Sequence, residues 1–183
     1  MKNWKHFILA AILACGCAVV PAEAATVAIM PLINRVEFAT PEAEQEPNQI
    51  FYNEALGVLK KRPGYMLVDT DRLRHAIRQN VVPGQLPTKE QLMTVTKKGN
   101  VDLVLCMELT GYSKKPVQRS MHEINVQMNV QGNLVAYNRL TGKYLVKKCK
   151  DDRIIDATLT SRWDVVQESW VRMVRREIER LTK

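Results

Sequence analysis

Histidine is scarce in this sequence of 183 residues: only His6, His75 and His122 occur, and none stands at the HxH or HExxH spacing that builds a metal pair. A zinc centre therefore lacks its usual ligands. Beyond the first 25 residues there is no GxGxxG, no GxxxxGK[ST] and no GxSxG, which removes the customary supports for dinucleotide binding, P-loop phosphate binding and serine-hydrolase chemistry. Eight glycines and eight prolines are too few for a collagen-like or low-complexity chain. Four cysteines, two of them within the first 17 residues, are too few for a disulfide scaffold. The sequence implies no cofactor, no metal and no recognisable enzyme.

What is present is the composition of a folded domain, 46% hydrophobic and 25% charged, at a length that suits one core. Lys2 and Lys5 precede an apolar run from Phe7 to Val20, and Pro21-Ala22-Glu23-Ala24-Ala25 supplies the small residues a signal peptidase accepts. That run falls short of the ~20 residues a membrane-spanning helix needs. Residues 1–24 therefore read as a secretory signal and 25–183 as a single domain. Cleavage after Ala24 removes two of the 27 basic and one of the 19 acidic residues, leaving 25 and 18 and a net charge of +7. A rival processing event is lipidation at Cys15 or Cys17, because Ile12-Leu13-Ala14-Cys15 resembles a lipobox. Either route exports the domain to the periplasm or cell envelope, and the second would tether it to a membrane.

The exported part alternates strands and helices. Thr26 to Ile33 and Val101 to Leu109 are nearly continuous apolar runs, as in strands buried on both faces, and Tyr65 to Val68 is a shorter one. Phe51, Ala55, Val58 and Leu59 mark a helix that ends at Pro63-Gly64. Asp69-Thr70-Asp71 caps a second helix, and Thr88 with Gln91 forms a capping box for a third, closed by Gly99-Asn100. Ile124, Val126, Met128 and Val130 alternate with Asn125, Gln127, Asn129 and Gln131, giving a strand with one wet face that bends near Gly132. After the Thr141-Gly142-Lys143 turn, Tyr144 to Lys150 returns as a fifth strand. From Ser161 onward Trp163, Val166, Trp170, Val174, Ile178 and Leu181 recur at helical spacing, with the two tryptophans as core anchors.

The order β-α-β-α-α-β-β-β-α, with right-handed crossovers, predicts an α/β fold: one mixed five-stranded sheet of order 2-1-3-4-5 with helices on both faces. In that order the fourth strand separates Cys106 from Cys149 by two steps of ~4.8 Å, beyond the ~7 Å reach of a disulfide. Two free, buried thiols are expected.

The phrases Val27-Ala-Ile-Met-Pro31, Tyr65-Met-Leu-Val-Asp69 with Leu73 and Ala76, the Asp102-Leu-Val-Leu strand and the Thr141-Gly142-Lys143 hairpin resemble the TolB amino-terminal-like domains. These include the curli-secretion channel protein and the lipoprotein activators of penicillin-binding proteins. The resemblance implies an envelope scaffold or partner-binding domain without a catalytic motif. The sequence departs from the channel protein in lacking a pair of amphipathic membrane hairpins.

In an open α/β sheet the crevice lies at the carboxyl ends of the strands where the winding reverses. Here that places Asn34 and Arg35 opposite Thr110, Gly111 and Tyr112. Residues 34–47, with Pro41, Pro47 and four glutamates but no period, read as a long exposed loop whose acidic part is a lid or docking arm. Asn34, Arg35 and Tyr112 are the candidate contact for an envelope protein partner. The alternative is a small-ligand or wall-polymer site in the same crevice. Asp69 and Asp71 read as helix-capping residues rather than an acid–base pair. The basic clusters, among them Lys114-Lys115 and Lys147-Lys148, are scattered over different elements without interleaved aromatics, so nucleic acid is not an expected partner.

Overall fold

A computed structural model describes residues 24–68, 70–118, 124–156 and 164–182; for Thr70, Arg72, Gln118, Ile124, Asp156 and Asp164 it describes the backbone alone. Residues 1–23, with Cys15 and Cys17, and Asp69, His122 and Trp163 lie outside the described residues.

The elements are β1 (Ala25–Ile29), β2 (Ile33–Asn34), α1 (Pro41–Lys60), β3 (Tyr65–Leu67), α2 (Thr70–Asn80), α3 (Lys89–Gly99), β4 (Leu103–Gln118), β5 (Ile124–Asn138), β6 (Lys143–Asp156) and α4 (Asp164–Leu181). One sheet runs in the order β3-β1-β4-β5-β6, which is the predicted order, with the two-residue β2 added beside β4. β1 pairs in parallel with both β3 and β4, while β5 and β6 continue as an antiparallel meander.

The period-2 geometry of strands sorts the core into two layers. Leu103, Leu105, Met107 and Leu109 of β4 face α1 and α4, where Phe51, Leu59, Trp170 and Ile178 are fully buried. Val104 and Cys106 face the other way, toward Leu73 of α2 and Leu92 and Val95 of α3. The helices therefore cover both faces. Local signals set the helix ends: the capping box closes with Gln91 N–H donating to Thr88 Oγ1 at 3.3 Å and Thr88 N–H to Gln91 Oε1 at 2.8 Å. Asn100 ends α3 in the left-handed region at φ 48°.

Two expectations are corrected. Residues 34–47 are not one loop, because α1 begins at Pro41. Thr40 caps the helix by accepting from Ala43 N–H at 3.2 Å, Pro41 fills the first position where no N–H is needed, and Glu42 and Glu44 suit the positive helix end. Pro47 lies inside the helix and is buried. It forfeits one helical hydrogen bond, the cost of a proline inside a helix, while its own carbonyl accepts from the Trp170 indole N–H at 2.9 Å.

The central hairpins are also longer than the periodicity suggested. β4 runs on through Lys114-Lys115-Pro116, and β6 extends to Asp156. A bulge between Leu109 and Gly111 inserts Thr110 and breaks the alternation that would have marked a single strand. Past Leu109 no described strand flanks β4 on its other side, so Pro116 sits on an edge, where proline is tolerated. Gly132 lies opposite the bulge, and a Cβ there would stand 2.3 Å from the Glu108 carbonyl oxygen.

Candidate docking site at the carboxyl end of the sheet

The carboxyl end of β1 is where the winding reverses, and the chain there does not turn away. Pro31 interrupts the strand, then β2 resumes the same line and pairs in parallel with Glu108 and Leu109. Arg35 N–H donates to the Leu109 carbonyl at 2.9 Å, which carries the ladder one residue further. Backbone thus fills the crevice between β1 and β4. Open volumes remain beside it: about 370 Å³ near Met30, Tyr52 and Arg74, and about 360 Å³ near Leu32, Asn34 and Glu44.

Asn34 is committed locally. Its Oδ1 accepts from Val36 N–H at 2.9 Å, a turn-forming bond, and its Nδ2 reaches Glu44 Oε1 at 3.4 Å. Arg35 sends its side chain to Glu108, with Nε donating to Oε1 at 2.9 Å, and Asn133 Nδ2 donates to Oε2 at 2.6 Å. Glu108 is buried and Arg35 half exposed, so the guanidinium neutralises an interior carboxylate while keeping one side in water.

Tyr112 lies on the opposite face of the sheet from this pair. Glu108 shares its side with Val104 and Cys106, whereas Tyr112 pairs with Val130 and packs into the layer under α1 and α4. The bulge that takes up Thr110 produces the change, since strict alternation along β4 would put Tyr112 on the Glu108 side and Gly111 on the other. Asn34, Arg35 and Tyr112 therefore border one end of the sheet without forming one cluster of side chains.

The partner that Tyr112 does meet is Phe38. Their ring centroids are 5.6 Å apart at an interplanar angle of 52°, a tilted aromatic pair. The two rings border a pocket of about 530 Å³ whose remaining lining is Glu37, Ala39, Ala43, Glu46 and Gln167. Burial, and then the nearby Glu46 carboxylate, push the Tyr112 phenol well above its ordinary range, so it stays protonated and can donate. Sequence reasoning passed over Phe38 and Glu108. Each had a signal: an aromatic residue inside an acidic stretch, and a lone carboxylate inside an apolar strand.

Elsewhere the buried charges are structural. Asp102 accepts from Thr26 N–H at 2.9 Å, Thr26 Oγ1 at 2.8 Å and Arg139 at 2.7 Å, tying β1 to the turn after β5. Asp151 is held by Arg172 at 2.6 Å, and Glu177 by Lys147 at 2.5 Å, Arg176 at 2.7 Å and Arg180 at 3.2 Å. Asp71 pairs with Arg74 in the first turn of α2, as a residue placed there by the helix dipole would. Among the described residues no group of three histidine, cysteine or acidic side chains is placed to hold a metal ion.

No protein-family model and no curated protein sequence matches this chain. Solved structures do. A putative neuraminyllactose-binding hemagglutinin homolog from Helicobacter pylori superposes with a TM-score of 0.51 at 12% identity, covering 89% of this chain and 86% of that one. A lipoprotein from Neisseria meningitidis gives 0.46 at 13% identity, covering 84% and 97%. The C-terminal domain of LpoB from Escherichia coli gives 0.38 at 16%, covering 80% and 93%. At such identity the first likeness is one of fold, and the other two are weaker. These neighbours are bacterial and include a lipoprotein, but membership of the TolB-like or curli-channel families is not shown.

Proposed function

We propose that this chain is an exported, non-catalytic module of the bacterial cell envelope that docks another envelope protein through the carboxyl end of its sheet. The leader at residues 1–24, with cleavage after Ala24 or lipidation at Cys15 or Cys17, supports the compartment. Among the described residues no helix is long and apolar enough to cross a membrane, so the lipid would be the membrane contact of the lipidated form. One observation carries the docking reading: the half-buried Phe38–Tyr112 pair opens onto a pocket at the sheet end, where an incoming side chain could complete the burial of both rings. On the opposite face of the same end the Arg35 guanidinium, ion-paired to the buried Glu108, keeps one side in water where a partner could reach its remaining N–H donors.

The second reading, a small-ligand or wall-polymer site in the crevice between β1 and β4, is disfavoured by β2, which occupies that line with hydrogen-bonded backbone. The test is capture of envelope partners by crosslinking in the producing cell, followed by mass spectrometry. Arg35→Ala and Tyr112→Ala should each cut the yield of a specific crosslinked protein relative to the amount of folded chain present. If both variants kept every crosslink at wild-type strength, the docking reading would be wrong.

A further inference from the structure

Resting on that docking reading, we propose that the Phe38–Tyr112 pocket receives a basic side chain, lysine or arginine, from the partner protein. The pocket holds about 530 Å³, room for a long side chain and the backbone that carries it. Two aromatic rings set at 52° to one another offer ring faces to a cation, and cation–π attraction strengthens as the site loses water.

The acidic lining gives the pocket its sign. Glu37 comes from the segment before α1 and Glu46 from the second turn of that helix, so two separate backbone stretches bring carboxylates to one opening. Neither makes an ion pair or a side-chain hydrogen bond among the described residues. Their condition differs from that of Glu54, Asp102, Glu108, Asp151 and Glu177, each of which is met by an arginine or lysine of the chain itself. Two carboxylates without an ion pair among the described residues, beside an aromatic pair, form a local negative field in a chain whose net charge is positive. An anionic ligand would be repelled, and a neutral one would leave the carboxylates with water alone. A cation would satisfy them, and the protonated Tyr112 hydroxyl and the Gln167 amide could bind the backbone that carries it.

The test titrates the purified full chain with the peptide N-acetyl-Ala-Arg-Ala-amide and, in parallel, with its uncharged citrulline counterpart, following the backbone amide resonances of residues 37–46 and 110–114. The arginine peptide should shift these resonances and the citrulline peptide should not. The double variant Glu37→Gln/Glu46→Gln, and separately Tyr112→Leu, should weaken the response about tenfold or more. Both glutamates are exposed, so the double variant keeps the fold, and an unchanged intrinsic tryptophan fluorescence spectrum verifies this. Equal response to citrulline, no response to arginine, or a double variant that binds like the parent overturns the proposal. If one of these occurs while Tyr112→Ala still abolishes partner capture, cation recognition fails and docking stands. If Tyr112→Ala leaves capture intact, both fall.

Discussion

The indole N–H of Trp170 donates to the main-chain carbonyl of Pro47 at 2.9 Å, joining α4 to α1 across 123 positions of sequence. Both residues are buried, so this bond fixes how the two helices pack over the sheet. Trp170→Phe keeps a ring but strands a buried carbonyl lone pair, which should cost about 1–3 kcal/mol. Trp170→Ala adds a cavity and should cost about 3–5 kcal/mol. Urea denaturation reads both as a lower midpoint at similar slope. A Phe variant as stable as the parent would mean that the hydrogen bond contributes nothing net.

The same contact explains what the sequence could and could not disclose. Val27 to Met30, Leu103 to Leu109 and the alternation from Ile124 to Val130 carry their burial pattern openly, so strand order and both helical layers could be read from them. Pro41 and Pro47 read as loop signals because local propensity disfavours proline in helices. The structure overrides it with a first-turn position for one and core burial, together with the Trp170 bond, for the other. The site was legible as a location and not as a geometry. Arg35 and Tyr112 fall at the expected end of the sheet, but a one-residue bulge decides which face each occupies, and sequence marks it by nothing more than Gly111 and Gly132.

Two glycines should respond oppositely to alanine. At Gly132 the added Cβ would meet the Glu108 carbonyl oxygen at 2.3 Å, a backbone atom that cannot swing aside. Gly132→Ala should therefore cost about 1–3 kcal/mol through overpacking and disturb the bulge. Gly57, inside α1, has nothing within 4 Å of the same position. There alanine should add about 0.5–1 kcal/mol of stability by raising helix propensity. Melting temperatures of the pair should move in opposite directions, and a shared direction would refute the distinction.

Acid should unlock β1. The Arg139 hydrogen bond, then the Thr26 backbone N–H, hold the Asp102 carboxyl below the usual carboxylate value near 3.8, against a smaller opposing effect of burial. A depressed folded pKa means that the stabilisation is complete above the unfolded value and is lost as pH falls through the folded one. Asp102→Asn removes the charge but keeps the shape. It should cost about 1–3 kcal/mol at neutral pH, and its stability should fall less steeply than the parent's below pH 4. Parallel stability–pH curves for the two proteins would exclude Asp102 from the acid response.

The two thiols test the sheet order itself. Cys106 faces α2 and α3, and Cys149 faces α1 and α4, with β5 between their strands. Both are free and buried. Burial, and secondarily the Glu108 carboxylate, push the Cys106 thiol up to about 12; burial followed by Glu177 raises Cys149 as well. Such thiols hold almost no thiolate at neutral pH and should resist alkylation in the native protein. Iodoacetamide without reductant should add nothing to the folded chain that starts at Ala25 and two adducts once urea is present. A chain that takes no adduct in urea until it is reduced would contain a Cys106–Cys149 bridge, which β5 forbids unless the sheet order is different. The intact mass from that experiment also distinguishes an Ala25 start from an acylated Cys15 or Cys17. In an acylated protein the lipid-bearing sulfur would be blocked, and its mass would carry the acyl chains in place of an Ala25 start.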